Sequence, residues 1–266
     1  MMMTAWGWYL AIGAVAGVLA GLLGVGGGLV IVPALVFVFH QQGLPADWVP
    51  HLALGTSLAS IVFTSLSSCR AHHRAQNVDW GVVRHISPGI VLGTLCGSLL
   101  AAQLSPVFLK VFFVVFATLV SIQMGFGLRP PARGALPGWP GMGLAGGVIG
   151  AVSSWVGIGG GSLSVPFLSW CQVPLKRAIG TSSAIGLPIA LAGAVGYVLA
   201  GWGKPGLPAA SLGLVYLPAL AGIVLTSVLC APLGAHWALK APVAALKRGF
   251  ALLLLLGAIK MASSLL

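Results

Sequence analysis

One stretch occurs twice in this chain, and it limits the fold more than any other feature. The first copy reads Gly24-Val25-Gly26-Gly27-Gly28-Leu29-Val30-Ile31-Val32-Pro33-Ala34-Leu35. The second reads Gly157-Ile158-Gly159-Gly160-Gly161-Ser162-Leu163-Ser164-Val165-Pro166-Phe167-Leu168, and seven of the twelve positions are identical at an offset of 133. Each copy interrupts an apolar run, Ala5 to Leu23 in the first case and Gly141 to Trp155 in the second, and a shorter apolar run restarts after it. Glycine weakens a helix interior and lets other groups approach the backbone closely. Inside a bilayer, irregular backbone survives only where protein or a water-filled cavity covers it. A break that recurs at corresponding places in two halves therefore predicts a central cavity. Close helix packing through small residues is the alternative reading.

The bilayer itself follows from composition. Only 6% of the 266 residues are charged, against about 25% in soluble domains, and mean hydropathy is +1.06. The chain reads as a polytopic membrane protein. Lys and Arg number 13 against two acids, Asp47 and Asp79. Nucleic acid is not the expected partner, because no soluble basic face exists to bind it; basic loops that set orientation explain the excess. The opening residues lack the basic region of a signal peptide, so the first apolar segment is expected to remain in the protein. Cys69, Cys96, Cys171 and Cys230 fit no metal or redox spacing and read as buried small hydrophobes.

The repeat extends beyond the glycines. Ala53-Leu54-Gly55-Thr56-Ser57 returns as Ala178-Ile179-Gly180-Thr181-Ser182 at an offset of 125. Leu109-Lys110 returns as Leu246-Lys247, and Met124 as Met261, both at 137. A period near 130 is too long for a solenoid and suits the duplicated half of a secondary transporter. The expected fold is all-α: two homologous halves, each a glycine-broken helical hairpin plus three transmembrane helices. The first half is assigned to residues 1–128, a Pro/Gly-rich linker to 129–140 and the second half to 141–266. Gly89, Gly93 and Gly97 line one helix face and predict close helix contact.

Charge decides how the halves relate. With the loop from Arg70 to Arg84 inside, an odd number of crossings per half puts ten basic residues inside: Arg70, Arg74, Arg84, Arg129, Arg133, Lys176, Arg177, Lys240, Lys247 and Arg248. Only Lys110, Lys204 and Lys260 then lie outside. An even number leaves six inside and seven outside. The cytoplasmic excess of Lys and Arg favours the odd count and hence an inverted repeat.

The chemistry at the centre is sparse. Neither acid lies within an apolar segment, so a buried carboxylate coupling site is not expected. No catalytic set, metal cluster or cofactor motif is visible, and the chain does not read as an enzyme. Gly161-Ser162-Leu163-Ser164 lacks an acid partner for a serine nucleophile. The six histidines sit at segment ends or in loops. What remains is backbone and hydroxyls. In an inverted arrangement the short runs starting at Leu29 and Ser162 converge by their N-termini, where free N–H groups and a partial positive charge suit an anion. The candidate substrate-binding residues are Gly26, Gly27, Gly28, Gly159, Gly160, Gly161, Thr56, Ser57, Thr181, Ser182 and Ser162.

The paired Gly-x-Gly-Gly-Gly-x(4)-Pro stretches, each followed by Ala-x-Gly-Thr-Ser, resemble the sulfite exporter TauE/SafE family of membrane transporters over nearly the whole chain. The resemblance implies a multi-pass protein of a bacterial-type inner membrane. It implies transport of small sulfur-containing anions such as sulfite, organosulfonates or sulfoacetate, with no cofactor. An anion channel, or a membrane scaffold or assembly protein, are the other functions this composition allows.

Overall fold

The computed structural model describes residues 2–23, 27–127, 134–240 and 243–263. Gly26 and the basic residues Arg129 and Arg133 lie outside the described residues, as does most of the linker's first half.

The first glycine stretch separates α1 (Met2–Leu23) from the short α2 (Gly28–Gln41), and α3 (Val49–Arg74), α4 (Trp80–Ala101) and α5 (Pro106–Gly125) follow. The second stretch separates α6 (Trp139–Val156) from α7 (Gly161–Trp170), after which come α8 (Leu175–Gly201), α9 (Leu217–Lys240) and α10 (Val243–Ser263). Two-residue strands β1 (Ser211–Leu212) and β2 (Val215–Tyr216) pair antiparallel in the loop before α9. α6 takes in Trp139 and Pro140, which the sequence assigns to the linker; Pro suits the first turn of a helix, where its missing N–H has no partner to lose. Local chemistry sets other starts: the Asp79 side chain accepts the Val82 N–H ahead of α4, and Ser105 accepts the Phe108 N–H ahead of α5, with Pro106 next. Among the described residues five helices are long and apolar enough to cross a membrane: α3, α4, α5, α8 and the Leu217–Gly234 part of α9.

The outer surface is apolar. Leu92, Leu119, Leu144, Leu229 and Leu256 are each more than half exposed, which suits lipid and would be costly in water. Small residues hold the interior helices together. A methyl group on Gly89 or Gly93 would collide with the carbonyls of Gly143 and Gly147, and one on Gly97 would reach the Ser154 hydroxyl and fall 2.9 Å from Ala151 Cα. The expected glycine face of α4 is thus the seam with α6, and the ascending numbers on both helices mean they run parallel. α1 and α9 pack in the same way, with Gly13 against Ile223 and Thr226 and Gly17 against Ser227.

α3 and α8, the two helices that carry Gly-Thr-Ser, run antiparallel at the centre. Gly55 meets Tyr197, Leu58 meets Gly193, Ser65 meets Gly186 and Ser68 meets Ser183. Numbers rise on one helix as they fall on the other.

Each glycine stretch closes a hairpin. Trp8 packs edge-on against Phe37 at 6.2 Å, Tyr9 Oη donates to Gln42 Oε1 at 2.9 Å, and Gly27 lies against Ala16. α2 therefore returns toward the end where α1 begins. In the second hairpin the Gly134 N–H donates to the Trp170 carbonyl at 3.2 Å, so α7 returns to the segment that leads into α6.

Candidate functional site

The two hairpin tips meet. A methyl on Gly28, the first residue of α2, would collide with the Gly157 carbonyl oxygen and come within 3.0 Å of Ile158 Cα and 2.8 Å of Ile61 Cδ1. Gly157 itself lies against Val32 of α2 and Leu54 of α3. Ile61 is halfway along α3, and Gly186, which faces the Gly160 amide, is near the middle of α8. The tips therefore meet halfway along the bundle. Two glycines make the bends: Gly27 at φ 74° and Gly157 at φ 72°, a left-handed backbone that a side chain would strain.

Each hairpin tip presents the start of a helix. The first amides of α2 and α7 have no carbonyl one turn back to bond, and they carry the positive end of the helix dipole. Gly157 to Gly161 are buried, as are Gly27, Gly28 and Leu29. Among the described residues no charged side chain accompanies them. Among the described residues the only charged side chain in the interior is Lys110 of α5, whose Nζ lies 3.5 Å from His40 Nε2 at the far end of α2.

The hydroxyls divide into two groups. Thr56, Ser57 and Thr181 have structural partners across the two halves. Thr56 Oγ1 accepts the Tyr216 N–H at 2.9 Å, and Thr181 Oγ1 accepts the Asp79 N–H at 2.9 Å. Ser57 Oγ donates to the Gly157 carbonyl at 2.7 Å and so braces the second tip against α3. Ser182 and Ser162 differ: both hydroxyls are buried with no hydrogen-bond partner. Ser164 and Ser153 share that condition. Ser164 Oγ lies 3.1 Å from where a Gly160 side chain would start, and the Ser153 carbonyl accepts the Gly157 and Ile158 N–H groups. An unpaired buried hydroxyl costs about 1–3 kcal/mol relative to a paired one. Three of them, on Ser153, Ser162 and Ser164, lie in the last turn of α6 and the first turn of α7, on either side of the second glycine stretch.

The structure thus brings Gly27, Gly28, Gly159, Gly160, Gly161, Ser57 and Ser162 to one region, with Ser182 one turn of α8 before Gly186 and with Thr56 and Thr181 joined to neighbouring helix starts instead. Ser153 and Ser164 are the residues that motif reasoning passed over. For Ser164 a signal was available: the positions at offset 133 from Ser162 and Ser164 are Leu29 and Ile31, so the second copy carries hydroxyls where the first carries aliphatics.

Comparison with known proteins covers nearly the whole chain. The family described as "Sulfite exporter TauE/SafE" matches residues 9–261. A "Probable membrane transporter protein" of Haemophilus influenzae is 39% identical over 253 residues, covering 95% of this chain and 96% of the relative. A "Probable membrane transporter protein YunE" of Bacillus subtilis is 32% identical over 220 residues, covering 72% of this chain and 78% of the relative. A third, from Methanocaldococcus jannaschii, is 29% identical over 198 residues, covering 72% of each chain. No solved structure matches.

Proposed function

The chain belongs to the sulfite exporter TauE/SafE family, and from that premise we propose that it is a secondary transporter of small sulfur-containing anions, bound where the two hairpin tips meet. That it is a multi-pass membrane transporter accords with its relatives and with its membrane-length helices. The choice of an anion rests on one observation above all: the buried, unpaired Ser162 and Ser164 hydroxyls in the first turn of α7.

An oxyanion of sulfur offers several acceptor oxygens and one or two negative charges. The α7 amides and the serine O–H groups are donors, and the helix dipole adds a fixed positive potential. Such a site neutralises the anion without a buried Lys or Arg, whose desolvation would be costly. A cation would meet the same donors with no compensating negative charge, since both acids lie outside the core.

The antiparallel course of α3 and α8 supports an inverted repeat, with the hairpins entering from opposite sides. Alternating access then requires the two halves to rock about a site that both build. Flux of sulfite, thiosulfate, taurine and sulfoacetate into proteoliposomes tests the reading. Saturable uptake that is accelerated by unlabelled anion on the far side is the expected result. Flux of organic cations without flux of sulfur anions would overturn it.

A further inference from the structure

The α3–α8 seam is built differently on its two sides of the hairpin tips, and this asymmetry bears on how an anion reaches the site. Toward the loop between α3 and α4, the seam carries Ser65 and Ser68 on α3 and Ser182 and Ser183 on α8. Ser65 Oγ is 3.0 Å from where a Gly186 side chain would start, the Gly160 amide is 3.7 Å from the same point, and Ser68 Oγ donates to Ser183 Oγ at 3.3 Å. Ser182 has no partner, and Ser183 bonds back to the Ile179 carbonyl. Hydroxyls therefore line the seam from the α7 amides outward.

The duplication supplies its own control. At the offset of 125, Ser182 keeps a serine counterpart in Ser57, but those of Ser65, Ser68 and Ser183 are Ala190, Gly193 and Leu58. These lie on the other side of the tips, where Leu58 packs onto Gly193 and Tyr197 is fully buried with its hydroxyl donated to the Ser154 carbonyl at 3.0 Å. One side of the seam carries Ser65, Ser68 and Ser183; at the matching positions its image carries Ala190, Gly193 and Leu58 and is filled by the Tyr197 ring.

The polar side ends among cations. Arg70 and Arg74 close α3, Arg84 lies in the first turns of α4, and Lys176 and Arg177 open α8, all exposed. The Asn77 carbonyl against Gly180, together with the Asp79–Thr181 bond, brings the α3–α4 loop onto the start of α8. Among the described residues none of these five cations forms an ion pair, and Asp79 is taken up in capping α4. From Ser65 to Arg74 is nine residues of helix, roughly 13 Å at 1.5 Å per residue. That is close to half the hydrocarbon thickness of about 30 Å, the span from mid-membrane to surface.

We propose that the anion reaches the hairpin tips from this basic end, along the α3–α8 seam past Ser68 and Ser183, while the Leu58–Tyr197 side stays sealed in the conformation described. The inference rests on the anion reading above. On this route the Ser68–Ser183 hydroxyl contact, at 3.3 Å, bridges the two helices. The unpaired arginines and lysines concentrate anions at the mouth.

Single cysteines in a background with Cys69, Cys96, Cys171 and Cys230 replaced by Ser test the route independently of flux. The probes are an anionic sulfonatoethyl and a cationic trimethylammonioethyl methanethiosulfonate, added to the basic side of oriented vesicles. Ser68→Cys and Ser183→Cys should react, with the anionic reagent favoured on the order of tenfold. Sulfoacetate, which does not react with the reagents, should slow the reaction, and Arg74→Gln with Arg177→Gln should reduce the anionic preference. Leu58→Cys should stay unreactive from that side. Inert thiols at both 68 and 183, a preference for the cationic reagent, or faster labelling at 58 than at 68 would each overturn the route. Charge-selective labelling at 68 without sulfoacetate protection or flux of any sulfur anion would leave the route standing and sink the choice of substrate instead.

Discussion

Thr56 in α3 accepts the backbone N–H of Tyr216 at 2.9 Å, just before α9 begins. Its counterpart Thr181 in α8 accepts the N–H of Asp79 at the same distance, just before α4 begins. Each half thus uses its threonine to hold the residue just ahead of a helix in the other. The neighbouring glycines repeat the exchange, with Gly55 against the Leu214 carbonyl and Gly180 against the Asn77 carbonyl. The Gly-Thr-Ser motif is repeated because the same contact between halves is made twice.

The threonines should therefore matter for stability more than for binding. Thr56→Val or Thr181→Val leaves a backbone N–H unpaired, at a cost of about 1–3 kcal/mol each. A lowered thermal midpoint in detergent with unchanged sulfite affinity is expected, and Ser at either position should restore most of the stability. A large loss of affinity with no loss of stability would return the threonines to the binding site.

The unpaired serines should behave in the opposite way. Ser162→Ala and Ser182→Ala remove hydroxyls that bond nothing in the protein, so folding should be unaffected or slightly improved. Losing a donor to an anion oxygen costs about 1–3 kcal/mol, roughly a five- to hundredfold weaker affinity. Titration with sulfite should show that loss for each. Unchanged affinity in both variants would take the hydroxyls out of recognition.

The glycines of the tips divide by what surrounds them. Gly27→Val strains a left-handed backbone and drives a side chain to within 2.8 Å of the Ala16 carbonyl. Gly28→Ala forces the two tips apart at the Gly157 carbonyl. Both should reduce the amount of folded protein in the membrane. Gly160 has ordinary helical dihedrals, φ −59° and ψ −18°. A methyl there meets only side-chain atoms, at 3.1 Å and beyond. Gly160→Ala should accumulate normally while transport falls, a split readable by comparing size-exclusion yield with flux.

Topology is open to direct labelling. If the halves are inverted, a cysteine replacing Lys176 is reached only from the side that holds Arg70 and Arg74. One replacing Lys204, which donates to the Ala102 carbonyl and sits 5.0 Å above the Trp48 ring, is reached only from the other side. Labelling of both from one face would mean parallel halves and would remove the basis for tips entering from opposite sides.

The sequence by itself determined the class, the duplication and the place of the break. Apolar runs of membrane length, scarce charge and glycines repeated at a fixed offset are local properties, and local properties survive in a string of letters. The glycine face of α4 was legible for the same reason, because helical spacing alone puts Gly89, Gly93 and Gly97 in line. Only the tertiary structure decided which hydroxyls are spent. Thr56 and Ser162 both sit near glycines in the sequence, yet one bonds a residue 160 positions away and the other bonds nothing. The seam's two unlike sides were equally hidden, since Ser68 faces Ser183 only because α3 and α8 cross antiparallel in one register. Hydrogen-bond partnership between distant segments depends on that register, and no local pattern of residues encodes it.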